Sequence, residues 1–413
     1  MRFTSQDHWP KTFEGGNTGI LHPKQELIKL ALTSFVQKGF YESEEEKINR
    51  IKETLSEVDD SFAIKVAVWA RDNWLRTINQ IILMEKLHSP LFFRAFDKLV
   101  RRPDEILDML GYYAMRNGQH LKQLKLANKL KKAIKIKMEK FSEYQLAKYR
   151  GKWEKINIFD VCNLTHPKSE AIDKLMKHTL ETANTRESEL SANGNTLESW
   201  NKLLDQKSLG ALAFVRNIRN MLNAGVSQDK MSEYAEGLNM KGVFPYQIIN
   251  AMGIACANWL QQESWLFRAL EGRVKEAMKN FQKLLKGRVA IGVDTSASMY
   301  NSMGNSALQY ADLACYYGAY LAEICDGDLF FWSDNCKKID YQNVDITDLK
   351  RQGFRWGTNL SSFLNMAHGY DTLFVITDEQ IRGNISNPTG NKIIWNIQDY
   401  QHSITTLYGW DYI

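Results

Sequence analysis

The segment from Arg288 to Met299 constrains the fold more than any other part of the sequence. An apolar run, Val289 to Val293, leads directly into Asp294-Thr-Ser-Ala-Ser298. A short apolar run that ends in polar residues is typical of a buried parallel strand, and the loops that follow such strands meet at one edge of the sheet. The segment therefore predicts an α/β sheet with a cluster of oxygen atoms at the end of its first strand.

Two later segments add oxygen atoms to the same edge. Helical spacing over 306–323 and the apolar runs 328–332 and 372–377 predict the helix and two further strands of this sheet. A threonine loop at 357–359 and the carboxylate that follows 372–377 then complete a set of five oxygen donors: Asp294, Ser296, Ser298, Thr358 and Asp378. A hard cation such as Mg²⁺ prefers oxygen ligands, so we predict a site for Mg²⁺ or another divalent cation.

The five residues resemble the metal-ion-dependent adhesion site of von Willebrand factor A domains. That resemblance implies a doubly wound, Rossmann-like A domain over residues 288–413. A plainer interpretation of Ser296 and Ser298 is helix capping, because serine is a favoured N-cap residue.

Charge is divided unevenly along the chain. Residues 288–413 contain eight Lys/Arg and fourteen Asp/Glu, whereas residues 1–287 contain 45 and 34. Twelve Lys/Arg lie between Lys122 and Lys155, with Tyr144, Tyr149 and Trp153 among them. Cations can hold phosphates and neighbouring aromatic rings can stack on bases, so this distribution favours nucleic acid as the ligand of the first part.

Cysteine use and apolar content bear on the compartment. The five cysteines have no metal-ligand spacing, which favours a reducing, intracellular setting. No apolar run has the length of a membrane span, and the first residues lack a signal peptide's apolar core. We expect a cytoplasmic protein with no membrane contact.

Residues 1–287 are predicted to be almost wholly helical. Apolar residues recur at spacings of three and four over 24–38, 44–58, 62–73, 78–87 and 104–115. Short helices joined by short turns predict an array of stacked helix pairs, HEAT-like in architecture. We place the end of this domain at Lys286-Gly287, with the glycine as a helix C-cap before the first strand.

Several blocks in this helical part look like the core signatures of the TROVE module: residues 13–16, 69–76, 142–149, 160–168 and 212–225. A TROVE module followed by an A domain is the arrangement of the Ro ribonucleoprotein family, and the resemblance covers nearly the whole chain. It implies a ring of HEAT-like helical repeats closed by the A domain. It also implies binding of small structured noncoding (Y-type) RNA on the basic outer surface, and of single-stranded 3′ ends of misfolded RNA in a central hole.

The family's RNA-contact positions carry over to Lys148, Lys152 and His166. The alignment needs a one-residue gap after Lys152, so Arg150 could exchange roles with it. We expect a monomer, and the sequence leaves open whether a 3′ exonuclease is a partner.

Two other function classes remain open. One is a metal-dependent protein-interaction module without RNA, in which the helices are only a scaffold. The other is an enzyme, such as a metal-dependent phosphoesterase or a chelatase subunit. Because the motif lacks the paired carboxylates of a two-metal hydrolytic site and no general base is evident, we predict that the chain is not an enzyme.

Overall fold

The computed structural model describes residues 10–33, 43–75, 77–151, 156–183, 185–256, 265–303, 308–343, 346, 348–383, 385, 388–398, 400 and 410–412. Packing divides the chain into two compact units. The helical unit contains Pro23–Ser34 and Ile48–Ser199. The sheet unit contains Met1–His22, Phe35–Lys47 and Trp200–Ile413.

Short α-helices build the helical unit. Their N-termini follow local rules: the Asp59 carboxylate accepts the Phe62 N–H at 2.8 Å and starts one helix, and Pro103, which has no N–H to satisfy, starts another. The helices are α1 Pro23–Thr33, α2 Glu44–Glu57, α3 Asp60–Asp72, α4 Thr77–Glu85, α5 Phe92–Leu99, α6 Pro103–Arg116, α7 Asn128–Met138, α8 Glu143–Tyr149, α9 Ile158–Thr165, α10 Glu170–Met176 and α11 Arg186–Asn193.

These helices stack in two layers of alternate elements. In one layer α1 packs on α3, α3 on α5, α5 on α7, and α7 on α9; in the other, α4 packs on α6, α6 on α8, and α8 on α10. Buried leucines, isoleucines and phenylalanines fill the space between the layers. The predicted helix-pair array is therefore confirmed. The predicted helices 44–58, 62–73, 78–87 and 104–115 match α2, α3, α4 and α6, and the predicted end of the first helix at residue 38 lies outside the described residues.

In its described part, the sheet unit contains a six-stranded sheet and seven α-helices. Five of these helices precede the first strand, and the other two lie between strands along the chain. Its elements are α12 Leu197–Asp205, α13 Ala211–Asn223, α14 Gln228–Glu236, α15 Pro245–Cys256, α16 Trp265–Met278, β1 Val289–Asp294, α17 Tyr310–Cys325, β2 Asp328–Trp332, β3 Cys336–Ile339, α18 Leu360–Met366, β4 Thr372–Thr377, β5 Asn391–Asn396 and β6 Asp411–Tyr412.

The strand order is β3-β2-β1-β4-β5-β6. All neighbours are parallel except β2 and β3, which form an antiparallel pair at the edge. The order reverses direction between β1 and β4, and in open α/β sheets ligands bind outside the carboxyl ends of the strands at such a switch point. The doubly wound α/β fold is confirmed, and the sheet is consistent with an A-type domain.

Two glycines let helices approach β1 closely. A Cβ on Gly292 would lie 2.9 Å from the Phe363 ring of α18, and one on Gly318 of α17 would lie 2.4 Å from Val293. Any larger residue would push a helix off the sheet, so glycine is needed on both faces. The resulting close packing buries β1 completely and fixes the position of its last residue, Asp294.

The sequence located the central elements well. The predicted strand 328–332 is β2, 372–377 is β4, and the helix predicted over 306–323 is α17, Tyr310–Cys325. Gly287 is not a helix C-cap, because the last helical turn ends at Leu284. Its φ of +67° and a Cβ position only 2.4 Å from the Asp371 carboxylate explain the glycine instead. The domain boundary at 286–287 stays a prediction. Among the described residues, no helix is long and apolar enough to cross a membrane.

Candidate metal centre and candidate RNA-contact residues

The Asp294 loop turns sharply after β1, and Asp294, Ser296 and Ser298 are buried in it, whereas Ala297 is exposed. The Ser296 N–H donates to Asp294 Oδ1 at 2.8 Å, and the hydroxyl oxygens of Ser296 and Ser298 lie 3.3 Å apart. Both serines are 1% exposed. Ser296 precedes a 3₁₀ turn at Ala297–Tyr300, but its side chain makes no capping hydrogen bond. Capping therefore does not account for the serines, and their hydroxyls converge beside a carboxylate.

Backbone hydrogen bonds hold the threonine loop against the Asp294 loop. The Arg355 N–H donates to Thr295 O at 2.9 Å, and the Ala297 N–H donates to Trp356 O at 3.1 Å. Thr358 follows and is 2% exposed, and its carbonyl oxygen accepts the Arg382 N–H at 2.7 Å. Thr358 thus lies on a segment bonded to the loops that carry Asp294 and Asp378.

Asp378 follows β4, the parallel neighbour of β1. Its Oδ1 accepts the Gln380 N–H at 3.0 Å, whereas its Oδ2 is buried without a hydrogen-bond partner. A buried carboxylate oxygen without a partner is costly unless a cation or water compensates for its charge. The free oxygen is the observation that most directly fits a cation at this edge.

Burial and mutual repulsion act on the two carboxyl groups. Burial raises the pKa of Asp294 to about 6, against hydrogen bonds from Thr377 and Ser296. Burial, followed by the negative charge of Asp294, raises the pKa of Asp378 to about 7. Two like charges in a buried site disfavour ionisation of both, and a divalent cation between them would reverse that preference.

The donor set is short of carboxylates. Within the described part of the chain, no group of three or more His, Cys, Asp or Glu side chains could hold a metal ion. The candidate centre instead offers two carboxylates and three hydroxyls, all hard oxygen donors that suit Mg²⁺ rather than zinc or copper.

The sequence reasoning missed several residues that support this edge. Thr377 donates its hydroxyl to Asp294 Oδ2 at 2.6 Å, and Glu379 has a φ of +60°. The Asn396 amide at the end of β5 donates to Glu379 Oε1 at 2.8 Å. Position alone could have identified them, since each lies within two residues of the carboxyl end of a parallel strand.

Lys148 occupies the last turn of α8 and is exposed. Its ammonium lies 5.9 Å from the Tyr144 ring centroid and 5.7 Å from that of Tyr149, and it makes no ion pair with any described residue. Tyr144 is 53% exposed, whereas Tyr149 is buried. An unpaired cation beside an exposed aromatic ring can bind a phosphate while the ring stacks on a base.

Arg150 has a structural role. Its guanidinium donates to Leu180 O at 2.9 Å and to Thr182 Oγ1 at 3.2 Å, which ties the end of α8 to the segment after α10. Lys152 and Trp153 lie outside the described residues. Of the two alternative RNA-contact residues, Arg150 and Lys152, only Arg150 can therefore be described. Because its donors are already engaged, Arg150 is the weaker candidate for RNA contact.

His166 ends α9 in the left-handed conformation, with φ of +49° and ψ of 55°, and its N–H donates to Cys162 O at 2.8 Å. The side chain is exposed, and its imidazole makes no hydrogen bond to any described residue. A residue other than glycine is strained in this conformation, and such strain is more frequent at functional sites than elsewhere. The structure therefore presents His166 to solvent but does not join it to Lys148 by any contact among the described residues.

The lysines of α7 form a larger basic surface than the sequence singled out. This helix contains five lysines and no acidic residue. Lys131, Lys132 and Lys135 make no ion pair with described residues, and the Lys132 ammonium lies 5.9 Å from the exposed Phe93 ring. By contrast, Lys137 and Lys140 both bond to Asp97. We call Lys131, Lys132 and Lys135 the α7 lysine face.

Comparisons with known proteins bear on both units. The family model described as TROVE domain matches residues 23–180 and 166–258, which is more than half of the chain. Residues 13–16, expected to be part of that module, lie before the matched range. The solved structure titled "Crystal structure of Deinococcus radiodurans RO (RSR) protein" matches with a TM-score of 0.59 and 14% sequence identity, over 93% of this chain and 94% of that one. None of the curated proteins matches.

Proposed function

Because the chain belongs to the TROVE domain family, we propose that it binds small structured noncoding RNA through the exposed basic surface of its helical unit. Proteins of this family bind RNA and are not enzymes. This agrees with the prediction from the sequence, in which no general base is evident. The observation that carries the proposal is the α7 lysine face, whose three cations are exposed or half-exposed and have no acidic partner in the part of the chain that the structure describes. Unpaired lysines that bind RNA phosphates displace the counterions of those phosphates, and the release of these counterions contributes a large part of RNA affinity.

The finer proposal concerns which RNA binds where. We assign Y-type RNA to the basic surface and single-stranded 3′ ends of misfolded RNA to Lys148, Lys152 and His166. The exposed, unpaired Lys148 and the solvent-facing His166 support this assignment. We further propose that the protein is monomeric and cytoplasmic. Whether it recruits a 3′ exonuclease stays open.

A divalent cation, most simply Mg²⁺, is part of the proposal. Asp294, Ser296, Ser298, Thr358 and Asp378 would hold it, and the free Asp378 Oδ2 supports this assignment. When bound, the cation supplies positive charge that can attract an anionic group of a partner. The protein's own residues orient the donors: Thr377 fixes one Asp294 oxygen, and the backbone of Gln380 fixes one Asp378 oxygen.

One experiment tests the RNA proposal directly. The protein is purified from its own cells and the RNA that accompanies it is sequenced. Recovery of one structured small RNA is expected. Filter binding then compares that RNA with and without a single-stranded 3′ tail, for the wild type and for Lys148→Ala with His166→Ala. The double variant should lose affinity mainly for the tailed RNA; equal loss for both RNAs would contradict a tail-binding role.

A second candidate function is protein interaction at the metal centre. Trp356, two residues before Thr358, is 71% exposed, although its carbonyl oxygen accepts the Ala297 N–H and the preceding Arg355 N–H donates to Thr295 O. Exposed tryptophans on ordered loops are frequent hot spots of protein interfaces. If this function were the main one, the protein purified from cells would bring a protein partner that Trp356→Ala removes, and no discrete RNA.

A further inference from the structure

The N-terminal turn, residues 10–18, is a compact structure within the sheet unit. The Thr12 N–H donates to Gly16 O at 2.9 Å, the Thr18 N–H donates to Pro10 O at 3.0 Å, and Lys11 pairs with Asn17 in an antiparallel bridge. Thr12 and Thr18 are buried. The turn is therefore ordered by its own backbone hydrogen bonds. Thr12, Gly16 and Thr18 form its buried side, whereas Lys11 and Phe13 are exposed.

What the turn packs against is the loop that carries the second carboxylate, residues 378–383. The Thr12 hydroxyl donates to Ile381 O at 2.7 Å and accepts the Gly16 N–H at 3.0 Å. The Phe13 N–H donates to Gln380 Oε1 at 2.9 Å. Two hydrogen bonds thus join the beginning of the chain to a loop more than 360 residues later.

Gly16 explains why the contact is so close. A Cβ at this position would lie 2.2 Å from Ile381 O and 3.0 Å from Gly383 O. Both neighbours are backbone atoms, which cannot move aside as a flexible side chain would. Any substitution must displace either the turn or the loop, so the glycine belongs to this contact.

Gln380 links the turn to the metal centre. Its side-chain oxygen accepts the Phe13 N–H, and its backbone N–H donates to Asp378 Oδ1 at 3.0 Å. Gln380 is fully buried and its amide nitrogen lies 3.4 Å from Asp378 O. With one carboxylate oxygen held in this way, the other oxygen, Oδ2, is the one left free.

We propose that the N-terminal turn is a positioning element of the metal centre: Thr12, Phe13 and Gly16 hold the 378–383 loop so that Asp378 Oδ2 faces the cation. This inference rests on the proposed metal centre, and no residue of the turn touches the cation itself. The coupling between the turn and the cation is reciprocal, because the coupling free energy is the same in both directions. If the turn tightens cation binding, the cation stabilises the turn by the same amount.

The first test measures Mg²⁺ affinity of the full-length protein by titration calorimetry. Thr12→Val removes the hydroxyl at nearly constant volume and should weaken Mg²⁺ binding on the order of fivefold, and Gly16→Ala on the order of tenfold or more. Thr12→Ser keeps the hydroxyl and should restore wild-type affinity. Gly272→Ala, on an exposed helical site with no atom near the added Cβ, is the matched control and should change nothing.

The second test needs no variant, so it holds even if Gly16→Ala fails to fold. Hydrogen–deuterium exchange of the wild type is followed with and without Mg²⁺. When Mg²⁺ is present, amides of residues 12–18 should exchange more slowly. The exchange rate should fall by about the same factor by which Thr12→Val lowers the Mg²⁺ affinity. Amides of α14, in the same unit but away from the loop, should be unaffected.

The outcomes separate the two claims. If the wild type binds no Mg²⁺ or Mn²⁺, both the metal centre and this inference are wrong. If the wild type binds Mg²⁺ but Thr12→Val binds equally well and exchange at 12–18 is unchanged, the metal centre stands and the positioning role is wrong. Weakened binding with Thr12→Ser rescue and protection of the turn supports both.

Discussion

The metal-centre edge of the sheet and the α7 lysine face are opposite kinds of site. The first is buried: Asp294, Ser296, Ser298 and Asp378 are all at most 1% exposed, and hydrogen bonds from Ser296, Thr377 and Gln380 hold the two carboxylates. The second is a row of unpaired lysines on an exposed helix face. A buried site depends on the positions of a few atoms, whereas an exposed cationic face depends mainly on the number of its charges. Single substitutions should therefore be severe at the first site and graded at the second.

The largest expected effect is at the buried site. Asp294→Ala removes a carboxylate that lies beside both serines and Thr377, so Mg²⁺ affinity should fall at least about a hundredfold. The sheet should stay folded, because the removed carboxylate is also a buried charge next to Asp378. Titration calorimetry and circular dichroism check the two statements.

Asp340→Ala is the control for that substitution, since Asp340 is an exposed carboxylate in the same unit and should not alter cation affinity. Loss of the wild-type circular-dichroism spectrum in Asp294→Ala would mean that Asp294 mainly supports the fold through Thr377 and Ser296.

The next effect concerns the exposed face. Replacing Lys131, Lys132 and Lys135 by alanine should weaken RNA binding and reduce the magnitude of the log–log salt slope by about 2 to 3, because each phosphate contact contributes about 0.7 on a single strand and about 0.9 on a duplex. The wild-type slope should be about −3 to −4, for about five contacts. Filter binding over a range of salt concentrations measures both slopes.

Lys137→Ala with Lys140→Ala provides the matched control. Lys137 lies on α7 and Lys140 lies two residues after its end, and both are paired with Asp97. Their loss should change the slope less per lysine than loss of the α7 lysine face. Equal slopes for the two variants would show that pairing within the protein does not decide which lysines bind RNA.

The same contrast explains what the sequence could predict. The five candidate donors could be predicted because strands β1 and β4 are apolar runs of clear length and because parallel strands bring their carboxyl ends to one edge. Thr377 and Glu379 were missed because the prediction considered only possible cation ligands, although their positions at the carboxyl end of β4 could have identified them. The cluster of lysines was visible in the sequence, but which lysines are unpaired depends on Asp97, 40 residues before Lys137.

Long-range packing was also invisible in the sequence. The boundary at residue 287 follows the change from helix to strand, yet Phe281 stacks on Trp395 with ring centroids 4.9 Å apart, and α16 packs on α17. Residues 200–287 accordingly cluster with the sheet rather than with the helical unit. The contact between Phe281 and Trp395 connects positions more than 100 residues apart, and one sequence without relatives carries no record of it.

A pH series sharpens the comparison further. Asp294 and Asp378 have folded-state pKa values of about 6 and about 7, above the value of about 3.9 for an unfolded Asp. Without metal, their contribution to stability is fully present below about pH 4 and is lost as the pH rises through about 6 to 7. Mg²⁺ must displace these protons, so its stabilising effect should be small at pH 5 and large at pH 8.

Thermal unfolding with and without Mg²⁺ at the two pH values measures this difference. In Asp294→Ala the metal-free melting temperature should depend less on pH than in the wild type. A Mg²⁺ effect of the same size at pH 5 and pH 8 would show that the cation binds elsewhere on the protein.

The smallest expected effect separates two neighbouring cations of the helical unit. Arg150→Ala removes hydrogen bonds to Leu180 O and Thr182 Oγ1, so it should lower the melting temperature by a few degrees, the scale of a loss of about 1 kcal/mol. Among the described residues, the Lys148 ammonium lies near the Tyr144 and Tyr149 rings and forms no ion pair, so Lys148→Ala should leave the melting temperature unchanged and weaken the binding of tailed RNA by about threefold to tenfold. Thermal unfolding and filter binding on both variants check the assignment. The reverse pattern, with RNA affinity lost only in Arg150→Ala, would show that Arg150 contacts the RNA and that Lys148 does not.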